Sequence, residues 1–332
     1  MISLVASATA LTASESSDKG SQCSQTQIPV TVSEKRSILN TSIKDDWDAA
    51  SLTFNLTARD FGKLDDPLHI AGETTFSVGS NYTVGATLCG TGGTILVTTH
   101  GIIESKLVDP YNDAQFQIEV SVLNSLVAYA RQTAEANKVV LVGHSYGAYI
   151  STQSAALLGS SVDDLVLTGF SGTLEYFGPF GAGMGFRVAR TQAPERWGHL
   201  SPGFLTSSDL YAETFAYFAS PYFEHRVAEW SYNVASEPFA VAELPTLLAT
   251  EIHFGNVTAP TLVLQGKYDT SACGGNCLGL LDGLSANFTA AAALRTVDDL
   301  PSGHDLFLHQ VAPRAFDLIF DFLSEQGKNG VF

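Results

Sequence analysis

The chain has 332 residues, 45% hydrophobic and 15% charged, enough for one large domain with an insertion or two small ones. Its formal charge of −17 argues against nucleic acid and anionic membrane surfaces, which need basic patches, and is read as solubility. No later run of about twenty apolar residues appears, so no membrane span is expected.

Residues 1–14 are small and apolar, and Ala8-Thr9-Ala10 resembles a signal-peptidase site, which makes them a candidate signal peptide without a basic n-region. Five of the eleven asparagines lie in Asn-x-Ser/Thr sequons: Asn40, Asn55, Asn81, Asn256 and Asn287. That pattern fits a secreted glycoprotein. Four cysteines fit the same oxidising compartment. They allow three full pairings, of which Cys23–Cys89 with Cys273–Cys277 is preferred. A Cys-x3-Cys metal site at Cys273 and Cys277 is the alternative, but no second pair of ligands clusters with it.

Residues 15–27 are Ser-rich and polar, an exposed arm. Ile28–Val32, Leu52–Leu56 and Tyr82–Leu88 show partial alternation and read as strands. Thr94–Thr99 reads as a buried parallel strand ending at His100-Gly101. Apolar periodicity at Phe116, Ile118, Val120, Leu123, Leu126 and Ala130 predicts a helix over 114–133. Buried strands follow at Lys138–Val142, Leu165–Phe170 and Thr261–Gln265, and a last helix over 313–325. Strands alternating with helices imply a mainly parallel sheet covered on both faces. Between Gly172 and Asn256 the chain is crowded with aromatics, Gly and Pro. This stretch, 173–256, reads as a helical cap inserted into a core formed by 15–172 and 257–332.

The chemistry centres on Gly143-His144-Ser145-Tyr146-Gly147. A β-branched run precedes it and a helix-permissive stretch follows, the strand–turn–helix context of a nucleophile elbow. A serine hydroxyl is a poor nucleophile at neutral pH and needs a base, itself oriented by an acid. Asp269, just past the strand ending at Gln265, and His304, in a loop before the last helix, supply both in the order Ser, Asp, His. His309 is expected to face solvent or cap the packing. Asp298, Asp299 and Asp305 read as solvated loop acids. The oxyanion would be held by the N–H groups of Tyr146 and of Ile102, just after His100-Gly101.

Thr99-His100-Gly101, the Ser145 elbow, Asp269 and Gly303-His304-Asp305 together resemble the α/β-hydrolase superfamily, and more closely secreted fungal esterase- or lipase-like members. The resemblance covers nearly the whole chain. It implies an α/β-hydrolase fold and a serine hydrolase that cleaves carboxylic esters of small, apolar molecules without a cofactor. Lactone or thioester hydrolysis on the same site, or a non-catalytic relative, are the other readings. One departure stands out: Ile102–Asn112 is too short for the strand–helix unit expected after Gly101, and roughly 30 to 40 residues are absent by ordinary element lengths. Either the sheet closes differently or the chain is truncated, since neighbours of a deleted strand would be left as open edges.

Overall fold

A computed structural model of the protein describes residues 4–8, 23–39, 41–56, 71–89, 93–99 and 109–329. The first half holds β1 (Leu4–Ala8), β2 (Cys23–Leu39), α1 (Asp46–Leu56), β3 (Ala71–Cys89), β4 (Thr94–Thr99), α2 (Phe116–Gln132), β5 (Lys138–His144), α3 (Tyr146–Leu158) and β6 (Asp164–Thr168). The stretch after β6 contains α4 (Phe177–Met184), β7 (Arg187–Val188), α5 (Ala189–Gln192), α6 (Pro194–Trp197), β8 (Phe204–Thr206), α7 (Leu210–Tyr217), α8 (His225–Trp230), β9 (Phe239–Ala240) and α9 (Glu243–Leu248). The chain closes with β10 (Thr261–Gly266), α10 (Thr270–Cys273), β11 (Leu294–Leu300) and α11 (Ala312–Asn329).

Eight strands form one sheet in the order β11-β10-β6-β5-β4-β1-β3-β2. Its centre, from β4 to β11, is parallel. The strand faces obey a period of two, as pleating requires. Val139, Leu141, Leu165, Leu167 and Val263 join the large core that includes α2 and α3. Val140, Val166, Leu262 and Leu264 point the other way, onto Ala315, Ile319, Phe322 and Leu323 of α11. Helices therefore cover both faces of this parallel part, which is the α/β-hydrolase architecture the sequence implies.

Several elements differ from the sequence expectations. Leu52–Leu56 is not a strand but the end of α1. The Asp45 carboxylate accepts from Trp47 and Asp48 N–H at 2.9 and 3.2 Å, a helix cap, and the buried Ala49, Leu52 and Leu56 follow helical spacing. β11 forms where a loop was expected, because a charged sequence such as Leu-Arg-Thr-Val-Asp-Asp-Leu suits an edge strand better than a central one. The insert after β6 is helical as expected, but it also holds a small antiparallel sheet, β7-β8-β9.

The strand–helix unit expected after Gly101 has no counterpart among the described residues, and yet the sheet has no gap. β1, drawn from the candidate leader, pairs antiparallel with β4 and parallel with β3. β2 and β3 form a long antiparallel pair that sets Cys23 opposite Cys89 in register. Among the described residues no helix is long and apolar enough to cross a membrane.

Candidate active site

The elbow is built by backbone strain. Ser145 sits at φ 54°, ψ −122° between β5 and α3, a left-handed φ that costs a non-glycine residue on the order of 1–3 kcal/mol and holds only when surroundings enforce it. Its N–H donates to Thr168 O at 2.9 Å, and its carbonyl accepts from Ala148 N–H at 2.9 Å. A Cβ at Gly143 would lie 2.6 Å from Gly147 O and 2.7 Å from Ala148 Cα, so the turn cannot close with a side chain there. Thr99, at the end of β4, donates to Gly147 O at 2.8 Å and ties the neighbouring strand to the same turn.

The elbow delivers the serine hydroxyl to His304. Ser145 Oγ lies 2.7 Å from His304 Nε2, and His304 Nδ1 lies 2.7 Å from Asp269 Oδ2. Asp269 is fully buried and His304 nearly so. The carboxylate is held from two further sides. Its Oδ1 accepts from Ala272 N–H at 2.8 Å, where Asp269 caps α10, and its Oδ2 accepts from Gln265 Nε2 at 2.6 Å. Gln265 also accepts Phe170 N–H at 2.6 Å, linking the ends of β10 and β6. The three residues expected from the sequence thus converge, and Gln265 joins them unforeseen. Its signal was a polar residue in an otherwise apolar strand.

Electrostatics match the geometry. Burial alone would raise the Asp269 pKa, but the charge and hydrogen bond of the imidazole beside it, with the hydrogen bonds it accepts from Ala272 and Gln265, hold it below the usual carboxylate value. Burial would lower the His304 pKa, but the Asp269 charge and hydrogen bond, with a smaller push from Asp305, raise it instead. A carboxylate on Nδ1–H fixes the tautomer that leaves Nε2 free to accept the serine proton.

Asp305 is not simply solvated. Its carboxylate lies 3.2 Å from His144 Nε2, and His144 packs its ring 4.9 Å from that of His304. His309, expected to face solvent or cap the packing, is buried. Tyr146 N–H opens α3, where first-turn amides have no intrahelical acceptor and the helix dipole favours negative charge. Ile102, the other expected oxyanion donor, and His100-Gly101 lie outside the described residues. The Tyr146 hydroxyl donates to Glu119 on α2, and burial pushes the Glu119 carboxyl up to about 8. Glu119 went unnoticed in the sequence because it falls between the apolar positions of a helix.

A cleft opens beside Ser145 and is walled by Tyr149, Leu174, Phe177, Phe180, Leu244 and Leu247. Five of those side chains come from the insert after β6. Another of its residues, Tyr217, stacks on His304 at 5.6 Å and 22°. Cys273 and Cys277 form a disulfide just past Asp269. Among the described residues no group of three or more His, Cys, Asp or Glu could hold a metal ion.

A family model described as the alpha/beta hydrolase family matches residues 87–316. The chain belongs to this family. The match runs from the end of β3 into α11 and so takes in Ser145, Asp269 and His304. No curated protein matches the sequence. Among solved structures, a thermophilic esterase from Thermogutta terrifontis is similar at 12% identity and a TM-score of 0.48, over 91% of this chain and 99% of that one. Est1E from Butyrivibrio proteoclasticus gives 12% identity and 0.40, over 73% and 76%. A monoacylglycerol lipase from Paleococcus ferrophilus gives 13% and 0.43, over 73% and 84%.

Proposed function

We propose that this alpha/beta hydrolase is a secreted, N-glycosylated serine hydrolase that cleaves carboxylic esters of small apolar molecules through an acyl-enzyme. The observation that carries the reading is the unbroken chain Ser145 Oγ, His304 Nε2, His304 Nδ1, Asp269 Oδ2, with both links at 2.7 Å. Ser145 O–H gives its proton to Nε2 as Oγ attacks the acyl carbon. The imidazolium is steadied by Asp269 and returns that proton to the departing alcohol. Tyr146 N–H and Ile102 N–H hold the oxyanion. Water deprotonated by His304 then releases the acid. The apolar wall of the cleft supports an apolar acyl group, since desolvating one there costs little.

Exposed sequon asparagines at Asn55, Asn81, Asn256 and Asn287 and the Cys273–Cys277 disulfide support the secretory part of the reading. The catalytic part is tested by labelling with a fluorophosphonate. Stoichiometric labelling that disappears in Ser145→Ala is expected, and a folded protein that takes no label would sink the proposal. A panel of p-nitrophenyl esters, lactones and thioesters then separates ester cleavage from the related acyl chemistries. Retention of the same mass after enzymatic deglycosylation of secreted protein would remove the glycoprotein reading.

A further inference from the structure

The loop that carries the catalytic base is gripped by the insert rather than by the core alone. Asp305 N–H donates to Tyr217 O at 3.0 Å, and Gln310 N–H donates to Tyr222 O at 2.9 Å. Between those two links lies His309. Its Nε2 accepts two backbone amides at once, Ala219 N–H from the insert and Gly303 N–H from the residue before His304, each at 3.0 Å. Its Nδ1–H donates to Asp305 O at 2.8 Å, which leaves the Nε2 lone pair facing both amides. The ring stacks on Phe218 at 5.4 Å and meets the edge of Phe223 at 6.0 Å.

Contact here is close enough that a Cβ at Gly303 would lie 2.8 Å from Phe218 C and from Tyr217 O. We propose that His309 is a positioning residue, a neutral imidazole that clamps the insert turn 217–222 to the loop 303–305 and thereby sets both His304 and the Tyr217 ring stacked upon it. This rests on the serine-hydrolase reading above. Without an acceptor at this point two buried N–H groups would lose their partner together, each at a desolvation cost, and the loop would shift where the proton transfer is most sensitive to distance. Burial also holds the His309 pKa below its ordinary value, which keeps the ring in the accepting form.

The test compares His309→Phe, which keeps the stacking and loses the acceptor, with His309→Gln, whose side-chain oxygen can accept both amides. His309→Phe is expected to lose about 10²-fold in kcat with KM little changed, and to broaden or shift the downfield proton resonance of the His304–Asp269 hydrogen bond. His309→Gln is expected to recover most of both. Wild-type kcat and an unaltered resonance in folded His309→Phe would overturn the clamp. Should His309→Phe fail to fold, hydrogen exchange of the wild type decides: Gly303 and Ala219 amides exchanging as fast as free loop amides would overturn it, and joint slow exchange supports it. The resonance and the exchange do not require turnover. A wild type that takes no fluorophosphonate therefore counts against the serine-hydrolase reading and not against the clamp.

Discussion

β10 and β2 share one sheet and are built by opposite rules. Every residue of β10 is buried, Thr261 to Gly266. Along β2 burial alternates, with Ile28, Val30 and Val32 inward and Gln27, Pro29, Thr31 and Ser33 outward. A parallel strand covered by helices on both faces offers no position to water, whereas an antiparallel pair at the sheet's end wets one face. Polar residues therefore carry different information in the two regions. Gln27 merely faces out. Gln265 has no such escape, so its amide must find partners, and it finds them in Asp269 and Phe170 N–H. Asp269 and His304 belong to the buried region for the same reason: there the ends of parallel strands place polar side chains in a water-poor setting where each hydrogen bond counts.

This contrast can be broken by mutation, and the largest effect is expected at the strand ends. Asp269→Asn is expected to lower kcat by about 10⁴-fold while leaving the fold intact, since it removes the charge that orients and stabilises the His304 imidazolium. Gln27→Ala, on the wet face of β2, is expected to leave steady-state kinetics within about twofold. Comparable losses at both positions would show that function is spread over the whole sheet.

Stability should separate the two regions less sharply. Leu264→Ala in β10 is expected to cost about 3–5 kcal/mol, and Ile28→Ala in β2 about 2–3 kcal/mol, because the open face of β2 can relax around the lost atoms and the enclosed strand cannot. Denaturant midpoints at constant slope measure the difference. Equal costs would mean that the outer pair is packed as tightly as the centre.

The last effect depends on pH and concerns Glu119, on the helix that packs against both β2 and α3. Its folded pKa is raised to about 8 from 4.5, chiefly by burial. For an acid raised in this way the unfolded chain ionises first, so the fold loses stability as pH climbs from about 4.5 toward 8. Glu119→Gln cannot ionise. Its stability relative to wild type is therefore expected to improve across that window, by about 1 kcal/mol per pH unit at the steepest. Parallel stability curves for the two proteins would show that Glu119 is ionised in the fold.

Much of the buried region was legible in the sequence. Short β-branched runs bounded by Gly and Pro gave β4, β5, β6 and β10 nearly to the residue, and Ser145, Asp269 and His304 could be named because each follows a strand or precedes a helix where such chemistry is placed. The N-terminal region was harder. Leu52–Leu56 looked like a strand because five residues are too few to separate a period of two from one of 3.6, and the decisive cap at Asp45 lies seven residues earlier. β11 was hidden by its charges, and β1 by its likeness to a leader. Cys273 and Cys277 are paired as expected, while Cys23 and Cys89 are brought opposite each other in register by β2 and β3.

Taken alone, the sequence determined the family, the order of Ser145, Asp269 and His304 and the parallel core, because these depend on local pattern: pleat periodicity, the elbow turn and residues just beyond strand ends. Tertiary structure decided which side chains hold those groups in place. Gln265 under Asp269, Asp305 beside His144, Glu119 beneath Tyr146 and His309 between the insert and the His304 loop pair residues distant in the chain or matter only through burial. The filling of the sheet beside β4 by β1 is of the same kind, a choice between edges that no local pattern encodes. Such partners are selected by the need to satisfy every buried polar group once the chain has closed around it, a condition that exists only in the folded state.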